Sequence, residues 1–169
     1  MSNSTARSEE DSSGPPGSWS LRSAKPADLP EVTRAICNLL TELAGSAPAP
    51  HEIEAAAAEL LADPKKGCLM IADSADGMVG VLAASFQHAI HVPGCYCILQ
   101  DLWTDPSWRS RGVGAGLVAA LLSRLSELNI KRVEVGLPSA RFDALQVTET
   151  FYRQNGFTLL GPRMRHLSD

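Results

Sequence analysis

The sequence predicts an α/β domain, in which helices alternate with the strands of a central sheet. Runs typical of buried strands alternate with runs whose apolar residues recur at helical spacing. A chain of 169 residues, 44% of them hydrophobic, is long enough to form a single domain with a substantial core. Near the middle of the chain, a strand, a turn, a glycine-rich loop and a helix follow one another directly.

The N-terminal residues 1–18 are predicted to be a disordered arm, which leaves residues 19–169 as the folded domain. The arm contains six serines and two adjacent prolines but no apolar block, so it resembles neither a folded element nor a signal peptide. The first elements of the domain are predicted as a strand over Ser18–Ala24, a helix capped by Asp28 that has Pro30 in its first turn and runs to Ala44, a loop over Gly45–Pro50, and a helix over His51–Ala62.

A β-hairpin should follow the second helix. Its predicted strands are Cys68–Asp73 and Met78–His88, which turn about Ser74–Gly77. The later elements are predicted as a strand over Cys97–Thr104, reached through His91–Gly94, a turn over Asp105–Trp108, a helix with Val113, Leu117, Leu121, Leu125 and Leu128 inward, a strand over Arg132–Leu137, a helix over Asp143–Asn155, and short strands over Phe157–Leu160 and Met164–Leu167.

The segment Arg109-Ser110-Arg111-Gly112-Val113-Gly114-Ala115-Gly116 is predicted to bind a phosphate group. Backbone N–H groups at the start of a helix have no intrahelical partner, and the helix dipole places partial positive charge there. Glycines allow an anion to approach this backbone closely, and the two arginines add charge. We therefore expect a ligand that contains a pyrophosphate.

Two familiar nucleotide motifs fit this segment poorly. A P-loop requires a Lys after its last glycine, and none follows here. The segment Gly114–Ala119 fits a relaxed dinucleotide fingerprint, with Glu134 beyond it, but the fingerprint glycines should follow the strand directly. Here a turn of about eight residues intervenes, and too little chain remains for a doubly wound sheet.

Two segments resemble signatures of the GNAT superfamily of N-acetyltransferases. Arg109-x-x-Gly112-x-Gly114 is similar to the Arg/Gln-x-x-Gly-x-Gly/Ala motif of that family, and Phe151-Tyr152-Arg153-Gln154-Asn155-Gly156-Phe157 is similar to its Phe/Leu-Tyr-x-x-x-Gly-Phe motif. About forty residues separate the two segments, which is also the spacing of the family. The resemblance implies a mixed, mostly antiparallel sheet of six or seven strands, with helices on both faces and a splay between the fourth and fifth strands.

The resemblance also implies acetyl-CoA as cosubstrate and specific residues to bind it. The pyrophosphate would contact Arg109, Ser110, Arg111, Gly112, Val113, Gly114, Ala115 and Gly116. The pantetheine amides would pair with the backbone of Leu102, Trp103 and Thr104, where a backbone N–H is also expected to stabilise the oxyanion. Tyr152 occupies the family's general-acid position, from which its phenol would protonate the leaving thiolate of CoA. Leu145 and Thr148 replace the Asn and Ala of the family's last helix.

The general base is not identified by the sequence. Relatives place a Glu on the fourth strand, where this chain has Gln100 and Ile98. Strand alternation points Asp101 to the face opposite Gln100, so we expect it to support the structure, and ordered water is an alternative base. The further candidates, His88, His91 and Glu134, are each expected to be structural.

The acceptor is expected to be the primary amine of a small cationic molecule, attacked directly in a ternary complex. In the family, the acceptor site is built from segments that here contain His51, Glu52, Glu54, His88 and His91. A protein lysine or N-terminal amine is an alternative acceptor. A non-catalytic CoA-binding sensor is an alternative of another class. The family's common dimers suggest a homodimer.

Composition argues against several other classes of protein. A formal charge of −4 is unfavourable for binding nucleic acid, and no run approaches the ~18 apolar residues that a membrane helix needs. Cys37, Cys68, Cys95 and Cys97 follow no paired secreted pattern, which favours a reduced cytoplasmic protein. The C-x₂-C spacing of zinc sites is absent, so no metal is expected.

Overall fold

A computed structural model describes residues 17–161 and 163–166 of the chain. The predicted arm therefore lies outside the described residues, except for its last two positions. In chain order the elements are β1 (Trp19–Ser23), α1 (Leu29–Ala44), α2 (Pro50–Ala62), β2 (Gly67–Ser74), β3 (Gly77–Ala89), β4 (Val92–Thr104), α3 (Val113–Glu127), β5 (Val133–Val135) and α4 (Leu145–Gln154).

The strands form one sheet in the order β1-β2-β3-β4-β5. The first four strands pair antiparallel, whereas β4 and β5 pair in parallel through three residue pairs, from Cys97↔Val133 to Leu99↔Val135. Beyond Leu99, the strand β4 continues to Thr104 without a partner in β5. The two strands therefore separate at this end of the sheet, as the family resemblance implied.

Helices cover both faces of the sheet, which confirms the predicted α/β class. On one face, Leu82 and Leu99 pack with Leu117 and Leu121 of α3 and with Tyr152 of α4. On the other face, Ile71, Val81 and Trp103 pack against Val32 and Ile36 of α1, with α2 beside them. Alternate residues of the strands point to opposite faces, so β2, β3 and β4 each contribute to both cores.

Local sequence explains where several elements begin and end. Pro30 lies in the first turn of α1, where its missing N–H costs nothing, and Gly45 ends that helix in the left-handed conformation, with φ of 76°. The strands β3 and β4 are longer than predicted: β3 ends at Ala89, and β4 already begins at Val92. The segment His91–Gly94, predicted as a connection, therefore lies mostly within β4.

The two short strands predicted near the C-terminus were wrong over the described residues. Phe157–Leu160 forms no strand, nor do residues 163–166, while Leu167 lies outside the described residues. Leu159 and Leu160 are 63% and 68% exposed, so this apolar run packs against no neighbouring strand. A short run forms a strand only when a sheet edge satisfies its backbone groups. The described sheet accordingly has five strands rather than six or seven.

Candidate active site

A cleft of about 860 Å³ opens where β4 and β5 separate. Its walls come from the end of β4, the loop before α3, the first turn of α3, the end of α1 and the inner face of α4. Ten of the twelve residues predicted to bind cofactor or to catalyse line this cleft: Leu102, Trp103, Thr104, Arg109, Ser110, Gly112, Val113, Gly114, Ala115 and Tyr152. The structure therefore brings most of the predicted residues together.

The loop before α3 turns sharply into the helix. Ser110 and Gly112 both adopt the left-handed conformation, with φ of 62° and 80°. The N-cap residue of α3 is Gly112. Because glycine has no side chain, it makes no capping hydrogen bond with the first amides of the helix. The N–H groups of Val113, Gly114 and Ala115 lie in the first turn of the helix, at the cleft. Amides placed in this way suit an anion, and the binding of a phosphate group here stays a prediction.

Gly116 was predicted to belong to this phosphate site, but the structure assigns it another contact. Its N–H donates to the carbonyl of Gly112 at 2.8 Å, which is the first intrahelical hydrogen bond, so the amide is no longer available to a ligand. Gly116 does not line the cleft and instead packs against the ring of Trp19. The prediction for this residue was therefore wrong.

The two arginines of the loop differ in their surroundings. Arg109 lines the cleft, but its guanidinium donates to both carboxylate oxygens of Glu42, on α1, at 3.1 and 2.6 Å. Arg111 lies outside the cleft lining, with its guanidinium carbon 5.0 Å from the centre of the Trp108 ring. The expected contact between Arg111 and pyrophosphate is thus not supported, because a cation–π contact already directs this side chain elsewhere. Arg109 lines the cleft beside the first amides of α3, and its contact with a phosphate group stays a prediction.

Tyr152 lies on the inner face of α4 and is 7% exposed. Its ring makes edge-on contacts with Phe151 and Phe157, with centroids 5.1 and 5.3 Å away. Gly156, with φ of 87°, allows the chain to turn after α4 and return Phe157 to this ring. Burial, together with the negative charge of Asp101, raises the pKa of Tyr152 to about 12. The phenol is therefore protonated throughout the neutral range.

A β-bulge in β4 places Asp101 differently from the sequence prediction. Ala84 of β3 pairs with Leu99 and Ala83 pairs with Asp101, so Gln100 is the extra residue between them. Gln100 donates from Nε2 to Oγ of Ser85 at 2.9 Å, on the face covered by α1 and α2. Asp101 lies opposite Ala83, which packs in the core of that same face.

Simple alternation had placed Asp101 and Gln100 on opposite faces, and the bulge makes that prediction wrong. Both residues line the cleft. Desolvation by burial raises the pKa of the Asp101 carboxyl, because the charged form is disfavoured away from water. Only the tertiary pairing of β3 with β4 reveals this geometry, since no turn or glycine marks the bulge in the sequence.

The other candidate bases lie outside the cleft. Glu134 is engaged by two guanidinium groups, those of Arg132 at 2.8 Å and Arg163 at 2.7 Å. His88 and His91 lie near the tip of the β3–β4 hairpin, where the ring of His91 packs edge-on against Tyr96. None of the predicted acceptor residues His51, Glu52, Glu54, His88 and His91 lines the cleft. The acceptor site assigned to them stays a prediction.

The structure also bears on metals, thiols and membranes. Among residues 17–161 and 163–166, no group of three His, Cys, Asp or Glu side chains is arranged to hold a metal ion. All four cysteines are free thiols, and burial raises the pKa of Cys97 to about 12. The described helices include none that is both long enough and apolar enough to cross a membrane.

The fold agrees with a comparison to known families. Residues 65–159, which make up more than half of the chain, match the model of the acetyltransferase (GNAT) domain. The chain therefore belongs to the GNAT acetyltransferase family and is an acyl-CoA-dependent N-acetyltransferase. No curated protein matches its sequence.

Solved structures of similar fold include several acetyltransferases. A possible acetyltransferase from Clostridium difficile has a TM-score of 0.76 at 17% identity, over 89% of this chain and 97% of that one. A predicted acetyltransferase with acetyl-CoA from Clostridium acetobutylicum has a TM-score of 0.71 at 17% identity, over 89% and 96%. An aminoglycoside acetyltransferase from an uncultured soil metagenomic sample, in complex with sisomicin, has a TM-score of 0.68 at 18% identity, over 89% and 95%. At these identities the likeness shows the fold alone.

Proposed function

We propose that this chain transfers the acetyl group of acetyl-CoA to the primary amine of a small cationic molecule, by direct attack in a ternary complex. One observation carries the proposal: the uncapped amides at the first turn of α3 open into the same cleft as the buried phenol of Tyr152. A diphosphate-bearing thioester needs an anion site and a proton donor within one cleft.

The residues of the cleft fit the parts of acetyl-CoA. The amides of Val113, Gly114 and Ala115 suit the diphosphate, with Arg109 contributing charge beside them. Between Gln100 and Thr104, the edge of β4 that faces away from β3 has no partner in β5. Extended backbone of this kind pairs with the amides of a pantetheine arm as it would with a strand. An N–H on this edge would also stabilise the oxyanion that forms at the thioester carbonyl.

The proposed reaction forms a bond between the amine nitrogen and the acetyl carbon and breaks the bond between that carbon and sulfur. Tyr152 donates its phenolic proton to the departing thiolate of CoA. Its raised pKa keeps the proton on the phenol until the thiolate develops. The attacking nitrogen must lose one proton in exchange.

Asp101 is the proposed acceptor of that proton. Its carboxylate lines the cleft, on the same face as Gln100, and its charge is close enough to influence Tyr152. Burial raises the pKa of this carboxyl, which makes the carboxylate a stronger base than an exposed aspartate. A buried negative charge also favours a cationic acceptor, and an aminoglycoside acetyltransferase has a similar fold.

Free thiols are compatible with the reducing cytoplasm, which is the location we propose. The homodimer that the sequence suggested stays a prediction.

Release of CoA thiol can be measured across polyamines, aminoglycosides, amino acids and peptides with a free lysine or N-terminal amine. We expect turnover with small cationic amines. Turnover of the peptides alone would instead favour protein acetylation, and CoA binding without turnover of any amine would favour a sensor.

The roles of Tyr152 and Gly114 can be tested with matched controls. Tyr152→Phe should lower kcat about 100-fold or more while CoA affinity is kept, whereas Tyr96→Phe should change neither. Gly114→Glu should abolish CoA binding through steric and charge conflict with the diphosphate, whereas Ala119→Glu, exposed on the same helix, should not. Unchanged CoA affinity in Gly114→Glu, measured by calorimetry, would overturn the proposed cofactor site.

A further inference from the structure

Trp19 of β1 packs into a notch on α3 that only a glycine can form. A Cβ added to Gly116 would overlap Cη2 of Trp19 and lie 2.9 Å from its Cζ3. Glycine is disfavoured inside a helix compared with alanine, so local propensity does not explain its presence here. The glycine instead permits an indole ring to lie directly on the helix backbone.

The same ring contacts the loop that precedes the helix. Nε1 of Trp19 donates to the carbonyl of Arg111 at 3.3 Å, and a Cβ on Gly112 would lie 4.0 Å from Cζ2 of the ring. Gly112 and Gly116 are themselves joined by the first intrahelical hydrogen bond, at 2.8 Å. One side chain thus contacts the last loop residue and the first hydrogen-bonded residue of α3, and lies beside the N-cap Gly112.

Between these contacts lie the amides of Val113, Gly114 and Ala115. The N-cap Gly112 has no side chain to fix it, and its left-handed conformation is one that glycine readily leaves. On the other side of the loop, Arg111 is held over Trp108. Trp19 therefore adds a contact from β1 to the one that the loop makes within itself. An anion site binds more tightly when its donors are already in place, because less conformational freedom is lost on binding.

We propose that Trp19 is a positioning residue for the diphosphate site, although neither Trp19 nor Gly116 lines the cleft. The inference rests on the proposed function, since it requires CoA at the first turn of α3. It assigns part of the cofactor site to β1, which lies outside the residues that match the family model. The side chain acts through the backbone of residues 111–116 and contacts no part of the ligand.

The first test compares Trp19→Ala with Leu21→Ala, which shortens an apolar side chain on the same strand. Trp19→Ala should raise the Kd for CoA at least tenfold and raise the KM for acetyl-CoA while kcat at saturation is kept. Leu21→Ala should leave both within twofold. Inhibition by pantetheine, which lacks the diphosphate, should be unchanged in Trp19→Ala, whereas general loss of structure would weaken it as well.

The second test exploits the notch itself. Gly116→Ala should weaken CoA binding and lower Tm in the natural background, where the new Cβ meets the ring. In a Trp19→Ala background, the same change should leave CoA affinity unchanged and raise Tm, because alanine is the better helix former.

The results separate this inference from the proposed function. If Gly114→Glu abolishes CoA binding but Trp19→Ala changes the Kd less than twofold, the inference is wrong and the cofactor site stands. Equal effects of Gly116→Ala in the two backgrounds would also overturn the inference. Unchanged binding in Gly114→Glu would remove the cofactor site itself.

Discussion

Gly80 of β3 allows α3 to lie close to the sheet, and its replacement tests how the cofactor site is supported. A Cβ at this position would lie 2.8 Å from Cγ1 of Val113, 3.0 Å from Cδ1 of Leu117 and 3.3 Å from the carbonyl oxygen of Trp103. Val113 and Leu117 are 1% and 0% exposed, so both side chains lie inside the core and can shift only against their neighbours. Gly80→Ala should therefore displace the first turn of α3.

The size of the effect follows from overpacking. Forcing one methyl group into a filled core costs about 1–3 kcal/mol. In a domain of this size, each kcal/mol lowers Tm by about 2–4 °C, so Tm should fall by roughly 2–12 °C. CoA affinity should fall as well, because the displaced turn carries the amides proposed to bind the diphosphate.

Thermal unfolding followed by circular dichroism measures the first effect, and calorimetry with CoA measures the second. Gly136→Ala is the matched stability control, since its Cβ would meet nothing within 4 Å and φ there is not positive. Val113→Ala removes the nearest atom, so Gly80→Ala should cost less in that background. A Tm within about 1 °C of the natural protein for Gly80→Ala would refute the packing argument.

Two further predictions concern the buried carboxylate and the core. Burial raises the folded-state pKa of Asp101 above its ordinary 3.8. The contribution of Asp101 to stability should therefore fall as pH rises from 3.8 through that raised pKa, and level off above it. At pH 7 the Asp101→Asn variant should therefore have a higher Tm than the natural protein, whereas below pH 3.8 it should not. The variant should also transfer the acetyl group more slowly. A lower Tm at pH 7 would contradict the desolvation argument. Leu121→Ala should lower the free energy of unfolding, measured by urea titration, by about 2–5 kcal/mol, because this fully buried side chain lies in the core under α3. The control Leu122→Ala, at a 38% exposed position, should lower it much less.

Residues close in sequence allowed most of the elements and the uncapped start of α3 to be predicted. The apolar spacing from Val113 to Leu128 predicts the buried face of α3. Val113, Leu117, Leu121 and Leu125 are buried, but Leu128 lies just past the end of the helix and is 40% exposed, so the prediction was wrong for that residue. The glycines before it predict a helix start that lacks a side-chain cap, because capping depends on the residues at the helix end themselves. The same local rules failed at Phe157–Leu160, where an apolar run lacks a sheet edge to pair with.

By itself the sequence determined the α/β class, the order of elements up to α4, and most of the residues of α3 and α4 that line the cleft. These features depend on periodicity and on short motifs, which act over a few residues. Only the tertiary structure decided which face of the sheet carries Asp101, that Arg109 pairs with Glu42, and that Gly116 serves Trp19 rather than a ligand. The partners are Ala83, Glu42 and Trp19, which lie 18, 67 and 97 positions away, and packing between distant segments fixes such contacts.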